Sequence, residues 1–408
     1  RRHTRCSRDW SSDVCSSDLI VAALRTPIGR AGGRLAEVRP DDLAALVLDE
    51  AVRRARGLDP GEIDDVVLGC AMPEAEQGMN VARIGLLLAG LPNTVPGMTI
   101  NRFCSSGLQA IAQAADRIRL GEADVMIAGG TESMSLVPMG GHKPSFSPAI
   151  FERDENVAIG YGMGITAENV AQQWNVSREA QDLFAAESHR RALRAIDAGE
   201  FADEIAPFEI VERRPDLATR EVVVAKRSAV IDEGPRKDTS PEGLARLKPV
   251  FAAKGSVTAG NSSQMSDGAA AVVLMSEAAV RRFNAKPLGR FVGYAVAGVP
   301  PEIMGIGPVK AIPRVLEQAG LTLQDMDWIE LNEAFAAQSL AVIKDLGLDP
   351  AKVNPLGGAI ALGHPLGATG AVRTATLLHG LRRHGKKYGM VTMCIGTGMG
   401  AAGVFEAL

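Results

Sequence analysis

The fold class follows from residues 98–130, MTINRFCSSGLQAIAQAADRIRLGEADVMIAGG. This stretch begins and ends with short apolar runs, at 98–103 and 124–130, that are typical of buried strands. Between them, residues 107–120 place apolar side chains on one face at helical spacing. A strand, a helix and a second strand in this order predict a parallel sheet that helices cover on both faces.

The same alternation continues outward from this stretch in both directions. Further strands are predicted at 19–24, at 65–69, within 256–276, at 327–331, near 352–355 and at 388–396. Further helices are predicted at 41–54, 81–89, 309–319, 334–346 and 368–383. Because residues 65–130 and 327–396 repeat one pattern of strand, turn and helix, we predict two similar α/β halves. A single long doubly wound sheet is the alternative.

Residues 131 to about 255 interrupt the alternation. They contain eight prolines and one clear helix, which Ser177 caps and Gly199 ends. We therefore predict an inserted loop domain at 136–255. The domains that follow from this insertion are an N-terminal half formed by 19–135 and 256–289, and a C-terminal half at 290–408.

The first 18 residues share none of these patterns. They lack the apolar stretch of a secretory signal, and their three aspartates are atypical of an organelle transit peptide. We predict that residues 1–18 are a non-native leader. The protein is then expected in the cytoplasm.

Composition excludes several classes of protein. The 44 Lys and Arg residues against 48 Asp and Glu give a net charge of −4, which argues against a nucleic-acid binder. The longest apolar runs fall short of the roughly 20 residues of a membrane helix. Five cysteines in 408 residues are too few for a disulfide framework. Glycine is enriched, at 44 residues, so the chain requires many tight turns.

Cys104 lies where an apolar strand is predicted to turn into a helix. A helix N-terminus and free backbone N–H groups lower the pKa of a thiol, so this position suits a nucleophile. A buried inert cysteine is the alternative.

Three further positions combine reactive side chains with turns. His364 stands between Gly363 and Pro365 in a glycine-rich loop, and such a loop lets a histidine approach a substrate closely. An exposed loop histidine without a function is the alternative. Cys394 ends an apolar strand before a glycine turn whose N–H groups can form an oxyanion hole. Asn332 follows a strand and could hold a water or a carbonyl, or only cap a helix. The spacing of these cysteines and the histidine fits no zinc motif, so no metal is predicted.

These segments, taken together and in order, resemble the thiolase family from about residue 19 to residue 408. The resemblance rests on six motifs: NRFCSSGLQA (101–110), AGGTESMS (128–135), SVTAGNSSQMSDGAA (256–270), NEAFAAQ (332–338), GGAIALGHPLGATG (357–370) and CIGTGMG (394–400). It implies the thiolase fold, in which two similar βαβαβαββ halves form a five-layer αβαβα sandwich with an inserted loop domain. It also implies a homodimer or homotetramer.

The resemblance implies an acyltransferase that cleaves 3-ketoacyl-CoA with CoA, and runs the reverse Claisen condensation, through a cysteine thioester. Cys104 would be the nucleophile, His364 its activator and Cys394 the acid and base. Asn332 would hold a water beside His364 in one oxyanion hole, and the N–H groups of Cys104 and Gly396 would form another.

The resemblance also assigns substrate contacts. Arg236 would meet the nucleotide phosphates, and Ser263 the pantetheine. The acyl and pantetheine channel would be lined by Met163, Phe251, Ala334 and Phe335. CoA and acyl-CoA enter as substrates, and no bound cofactor, nucleic acid or membrane partner is implied.

Two departures from the family pattern bear on specificity. Gly162 replaces the histidine that often precedes the Met of acetoacetyl-CoA-specific members, which could widen the acyl channel. Thr397 replaces a common glycine beside Gly396, and we expect the oxyanion hole to survive this change. The sequence predicts a thiolase of broad chain length that also cleaves acetoacetyl-CoA, in fatty acid β-oxidation or related acyl-CoA metabolism.

Three alternatives remain at this stage. One is an acetoacetyl-CoA-specific biosynthetic acetyltransferase. Another is a non-catalytic lipid- or CoA-binding subunit on the same fold, which usually loses the reactive residues retained here. The third, a decarboxylating ketoacyl synthase, lacks a second cysteine, so Cys394 argues against it.

Overall fold

A computed structural model describes residues 18–408, so the predicted leader, apart from Asp18, lies outside the described residues. The strands of this range are β1 (Leu19–Arg25), β2 (Gly29–Arg30), β3 (Asp65–Gly69), β4 (Gly97–Ile100), β5 (Val125–Ser133), β6 (Phe208–Asp216), β7 (Glu221–Ala229), β8 (Ser266–Met275), β9 (Gly289–Gly298), β10 (Trp328–Leu331), β11 (Tyr388–Ile395) and β12 (Met399–Ala407). The α-helices are α1 (Pro40–Arg54), α2 (Val81–Leu88), α3 (Ser106–Arg119), α4 (Met163–Gln173), α5 (Arg178–Asp197), α6 (Pro241–Ala245), α7 (Glu277–Phe283), α8 (Gly307–Ala319), α9 (Ala336–Leu346), α10 (Ala359–Leu362) and α11 (Thr369–Arg383).

The main sheet is nearly symmetric about its centre. Its strands run in the order β10-β11-β12-β9-β1-β8-β5-β3-β4. In the N-terminal half, β3 is parallel to β4 and β5, and β8 is antiparallel to β5 and β1. In the C-terminal half, β10 is parallel to β11 and bridges Val353, while β12 is antiparallel to β11 and β9. The two halves therefore repeat one topology, as predicted, and they also join edge to edge where β1 pairs with β9.

Three apolar clusters define five layers. α3 and α11 pack between the strands of the two halves, and their buried side chains share one core with both sets of strands. α1 and α2 cover the opposite face of the N-terminal strands. α8 and α9 cover the opposite face of the C-terminal strands. Because strand side chains alternate between the two faces, each set of strands serves two cores, which fits the predicted αβαβα sandwich.

Local sequence signals account for several boundaries. α1 begins with Pro40 at its first position, followed by two aspartates, and ends with two arginines, as the helix dipole favours. Ser177 caps α5 by accepting a hydrogen bond from Ala180 N, as predicted. Asp18 is buried, and its Oδ1 accepts from Arg119 Nε at 3.0 Å.

Some elements differ from the prediction. The predicted strand near 352–355 is only the bridge between Val353 and Ile329. The strand predicted over 98–103 ends at Ile100, and the chain then enters a 3-10 turn in which Phe103 has a φ of +45°. β12 was not predicted, because its glycines and alanines have low strand propensity and it forms by pairing with two neighbours. The insertion holds, besides the predicted helix, α4, α6 and the β6–β7 hairpin.

Among residues 18–408, no helix is both long and apolar enough to cross a membrane.

Candidate active site

Cys104 stands in a 3-10 turn between β4 and α3, and local hydrogen bonds fix this turn. Asn101 Oδ1 accepts from Phe103 N at 2.8 Å. Ser106 Oγ accepts from Arg102 N at 2.8 Å and donates to Phe103 O at 2.7 Å. The left-handed backbone of Phe103 is strained for a side chain of this size, and such strain is typical of functional turns.

The Cys104 thiol is half-buried and packs against Ala71, Met134 and Leu366. Burial raises its pKa to about 12, while the N–H groups of Gly396 and Cys104 itself act in the opposite direction. The expectation of a lowered pKa is therefore wrong, because burial outweighs the N–H groups. Cys104 rests as a thiol and needs a base to become a nucleophile.

His364 is buried, so it is not an exposed loop residue. Its Nδ1 lies 2.6 Å from Thr369 Oγ1 and its Nε2 lies 3.3 Å from Asn332 Nδ2. Its backbone N donates to Ser266 Oγ at 3.0 Å. Burial, together with the charge of Arg373, lowers the pKa of the imidazole to about 3. His364 is thus a neutral imidazole that can accept a proton.

Asn332 is fully buried at the end of β10 and does not cap a helix. Its N–H donates to Thr392 O at 2.9 Å, which ties this strand end to β11. Its Oδ1 has no hydrogen-bond partner among residues 18–408. An unpartnered buried amide oxygen next to a histidine is a suitable site for a water molecule or a substrate group.

Cys394 lies near the end of β11, immediately before the turn to β12. Its thiol is buried, and burial, with a contribution from Cys104, raises its pKa above the ordinary range. In the turn, the N–H of Gly396 lies close enough to the Cys104 thiol to lower its pKa, while Thr397 and Gly398 have φ values of +65° and +87°. The two cysteine-bearing turns therefore meet.

An apolar cluster surrounds Cys394 on the side of the insertion. Ala334 and Phe335 are buried in it, Met163 packs against it, and Phe251 contacts Phe335 edge to face at 6.0 Å between ring centroids. The four predicted channel residues thus lie close together. A Cβ on Gly162 would find no atom within 4 Å, so the space beside Met163 is open.

A groove of about 310 Å³ is lined by Arg236, His189, Asp238 and residues of α6, together with Ala259 and Gly260 of the turn before β8. Arg236 N donates to His189 Nδ1 at 3.1 Å. Burial and the charge of Arg236 lower the pKa of His189 to about 4. Nothing in the helical sequence around His189 indicates this contact in advance.

Ser263 does not line this groove. Its N–H donates to Ala334 O at 2.9 Å, which links the turn before β8 to the apolar cluster. No group of three or more His, Cys, Asp or Glu side chains within 18–408 is arranged to hold a metal ion.

Comparisons with known proteins agree with this arrangement. A family model described as the thiolase N-terminal domain matches residues 19–278, and one described as the thiolase C-terminal domain matches 285–407. The chain is 53% identical to the 3-ketoacyl-CoA thiolase of Bacillus subtilis, over 95% of this chain and 98% of that protein. It is 48% identical to a beta-ketoadipyl-CoA thiolase of Pseudomonas aeruginosa, with coverage of 95% and 98%. Its structure is similar to the crystal structure of the Bacillus anthracis acetyl-CoA acetyltransferase, with a TM-score of 0.87, 45% identity and coverage of 97% and 100%.

Proposed function

The chain belongs to the thiolase family, and we propose that Cys104, His364 and Cys394 perform the chemistry of its acyl transfer. The protein is an acyltransferase that cleaves 3-ketoacyl-CoA with CoA to acetyl-CoA and a shortened acyl-CoA, and that runs the reverse condensation. One observation supports the assignment most strongly. The turn of Cys104 packs against the end of β11, so that the two cysteines influence each other and Gly396 lies close enough to the Cys104 thiol to lower its pKa.

In the first step, neutral His364 accepts the proton of the Cys104 thiol. When its Nδ1–H donates to Thr369 Oγ1, its Nε2 is unprotonated and accepts from Asn332 Nδ2 at 3.3 Å, a contact that it gives up when it takes the proton. The sulfur attacks the 3-keto carbonyl and forms the acyl-enzyme thioester as the bond between C2 and C3 breaks. The N–H groups of Cys104 and Gly396 stabilise the tetrahedral oxyanion. The departing enolate of acetyl-CoA takes a proton from Cys394.

In the second step, the Cys394 thiolate takes the proton of incoming CoA. The CoA sulfur attacks the acyl-enzyme, and the Cys104 sulfur leaves and recovers its proton from His364.

The enolate oxygen formed in the first step needs its own hydrogen-bond donors, because a proton next to a thioester is only weakly acidic. His364 and a water held by Asn332 Oδ1 serve this role, which the unpartnered state of that oxygen supports.

The CoA substrate would lie along the groove of Arg236 and reach Cys104 past the turn of Ser263. A guanidinium suits the nucleotide phosphates. The apolar cluster of Met163, Phe251, Ala334 and Phe335 would hold pantetheine and acyl groups. The absence of a side chain at Gly162, next to Met163 of this cluster, supports broad chain length in fatty acid β-oxidation or related acyl-CoA metabolism. An acetoacetyl-CoA-specific acetyltransferase is the second candidate. It is considered because the similar protein of Bacillus anthracis is named an acetyl-CoA acetyltransferase.

Assembly as a homodimer or homotetramer in the cytoplasm completes the proposal. β4 is an edge strand of the main sheet. Met98 on β4 and Leu87 and Leu88 on the adjacent α2 are exposed, and Met79 is 92% exposed. Such an apolar patch beside a free strand edge supports pairing with a second copy of the chain.

Acetyl-CoA alone tests the function. Incubation should add one acetyl group to Cys104, as read by peptide mass spectrometry, and Cys104→Ser should abolish both the adduct and thiolysis. Bound CoA without an adduct would instead favour a non-catalytic binder. Rates with 3-ketoacyl-CoA of increasing chain length separate the two enzymatic candidates, since turnover of acetoacetyl-CoA alone would exclude broad specificity.

A further inference from the structure

Two buried carboxylates that have no part in the proposed chemistry flank the loop of His364. Glu132 comes from β5 in the N-terminal half, and Glu333 follows β10 in the C-terminal half. Their side chains are almost completely buried, with total exposures of 1% and 2%. Burial raises the pKa of both groups, while their hydrogen-bond donors lower it.

Glu132 holds the chain just after His364. Its Oε2 accepts from Gly367 N at 2.8 Å and from Ala71 N at 2.7 Å. Its Oε1 accepts from Met72 N at 3.2 Å and from Gln77 Nε2 at 2.5 Å. One carboxylate thus joins the loop of His364 to the segment that follows β3, against which Cys104 also packs.

Glu333 holds the chain just before His364. Its Oε2 accepts from Ser188 Oγ at 2.7 Å and from Ile360 N at 3.1 Å. Its Oε1 accepts from Asn354 Nδ2 at 2.8 Å. Ser188 Oγ in turn accepts from Gly358 N at 3.1 Å.

Every one of these partners donates a hydrogen, so both positions require a group that accepts at both ends. A carboxylate does this, whereas a glutamine of the same shape must point its NH₂ group at a donor. A buried donor without an acceptor is destabilising, and the backbone would move to relieve it. The charge is therefore what keeps the two ends of the loop in place.

We propose that Glu132 and Glu333 are positioning residues that set the place of His364 relative to Cys104, one from each half of the chain. The inference rests on the proposed function, because it concerns how the base reaches the nucleophile. Neither residue touches the substrate. A displacement of about 1 Å in such a site can lower a rate by roughly 10²-fold.

The two carboxylates differ in one respect that can be measured. The charge of Glu132 contributes to the raised pKa of Cys104, and Glu333 makes no such contribution. Other titratable or charged groups in this region are His364, Cys394, Cys70 and Arg373, whose charge acts on both Glu333 and His364. None of them changes in the variants proposed below. Removing the charge of Glu132 should therefore lower the pKa of the Cys104 thiol, whereas removing the charge of Glu333 should not.

The test compares Glu132→Gln, Glu333→Gln and the parent chain. We expect both variants to lower kcat by about tenfold or more, with the KM for CoA within about twofold of the parent. Iodoacetamide alkylation of Cys104, quantified by peptide mass spectrometry across pH, should move to lower pH in Glu132→Gln only. Folded variants with parental kcat, or an unmoved alkylation profile in Glu132→Gln, would overturn the proposal.

A milder variant guards against misfolding. Ser188→Ala removes one donor to Glu333, together with the acceptor of Gly358 N, and leaves both charges. We expect a loss of kcat of a few fold with no shift in the alkylation profile. Unchanged kcat in Ser188→Ala would overturn the role of Glu333. The alkylation profile needs no turnover, so a parent chain without thiolysis would refute the proposed function while the shift in Glu132→Gln would still support its effect on Cys104.

Discussion

The two halves of the chain place a candidate catalytic residue at the same point of their shared topology but build that point differently. In the N-terminal half, residues 101–105 connect β4 to α3 and carry Cys104. In the C-terminal half, residues 354–368 connect the bridge at Val353 to α11 and carry His364. A short turn and a long loop thus occupy equivalent positions.

The difference shows how each residue is held. The turn of Cys104 is fixed by its own neighbours, Asn101 and Ser106. The loop of His364 is fixed by distant residues: Glu132, Glu333 and Ser266. A long loop gains freedom of placement, but its conformation depends on the rest of the fold.

Removing the imidazole of His364 should have the largest effect on kcat, because Cys104 then loses its proposed base. His364→Ala lowers kcat by about 10²–10⁴-fold, because a positioned general base typically contributes that much. His142→Ala serves as a matched control, since His142 is exposed and outside the site, and its kcat should stay within about twofold. Steady-state thiolysis measures both. Equal rates for the His364 variant and the parent would remove His364 from the mechanism.

The contact between the helices that follow the two positions gives the next largest effect. A Cβ on Gly370 would lie 2.2 Å from Leu108 N, and a Cβ on Gly107 would lie 2.9 Å from Ala371 N. The N-terminal ends of α3 and α11 therefore meet backbone to backbone. Gly370→Ala should lower the free energy of unfolding by at least about 3 kcal/mol. The added Cβ meets backbone atoms of α3, which cannot move aside as a flexible side chain can.

Chemical denaturation measures this loss, and Gly293→Ala is the matched control. A Cβ on Gly293 would have its nearest neighbour, Val315 Cγ2, at an ordinary 3.7 Å. The free energies of unfolding of the two variants should therefore differ by more than about 2 kcal/mol, which is within the usual cost of overpacking. A folded Gly370→Ala should also lose kcat, because α3 and α11 position Cys104 and His364.

The two positions should respond to pH in opposite directions. Folded His364 has a pKa of about 3 against an ordinary 6.5, so the unfolded chain binds more protons and stability falls as pH drops below 6.5. Folded Cys104 has a pKa of about 12 against an ordinary 9.0, so the folded chain binds more protons and stability falls as pH rises above 9.

Urea denaturation across pH checks both signs. His364→Asn should flatten the acid side of the profile, where His189 still contributes a slope because its pKa is also lowered. Cys104→Ser should reduce the alkaline slope and leave the acid side unchanged. Some alkaline slope should remain, because burial also raises the pKa values of Cys70, Cys394 and Tyr294. If either variant changed only the opposite side of the profile, these pKa shifts would not belong to His364 and Cys104.

The sequence predicted those helices and strands whose apolar residues recur at regular spacing. The strand at 65–69 and the helix of Ser177 lie where they were predicted, and the repeat of the two halves is confirmed by the sheet order. The glycine- and alanine-rich β12 was missed, because only its two neighbours make it a strand. The candidate catalytic residues were visible in the sequence as reactive side chains in predicted turns.

What the sequence did not show depends on burial and distant contacts. The direction of the Cys104 pKa shift is set by packing against residues far along the chain. The contact of His189 with Arg236 joins a helix to a loop of the insertion. The roles of Glu132 and Glu333 are visible only once their donors are assembled, although both lie in motifs that the sequence singled out.

The smallest predicted effect concerns Thr397, in the turn that serves both positions through Gly396. Thr397 has a φ of +65°, which is unfavourable for a β-branched residue by roughly 1–2 kcal/mol. Thr397→Gly removes this strain but loses the hydrogen bond from Thr397 Oγ1 to Gly396 O and adds freedom to the unfolded chain. We expect the free energy of unfolding to rise by about 0.5 kcal/mol, with kcat near the parental value. A fall in stability together with a loss of kcat would show instead that the threonine hydroxyl orients the Gly396 N–H toward Cys104.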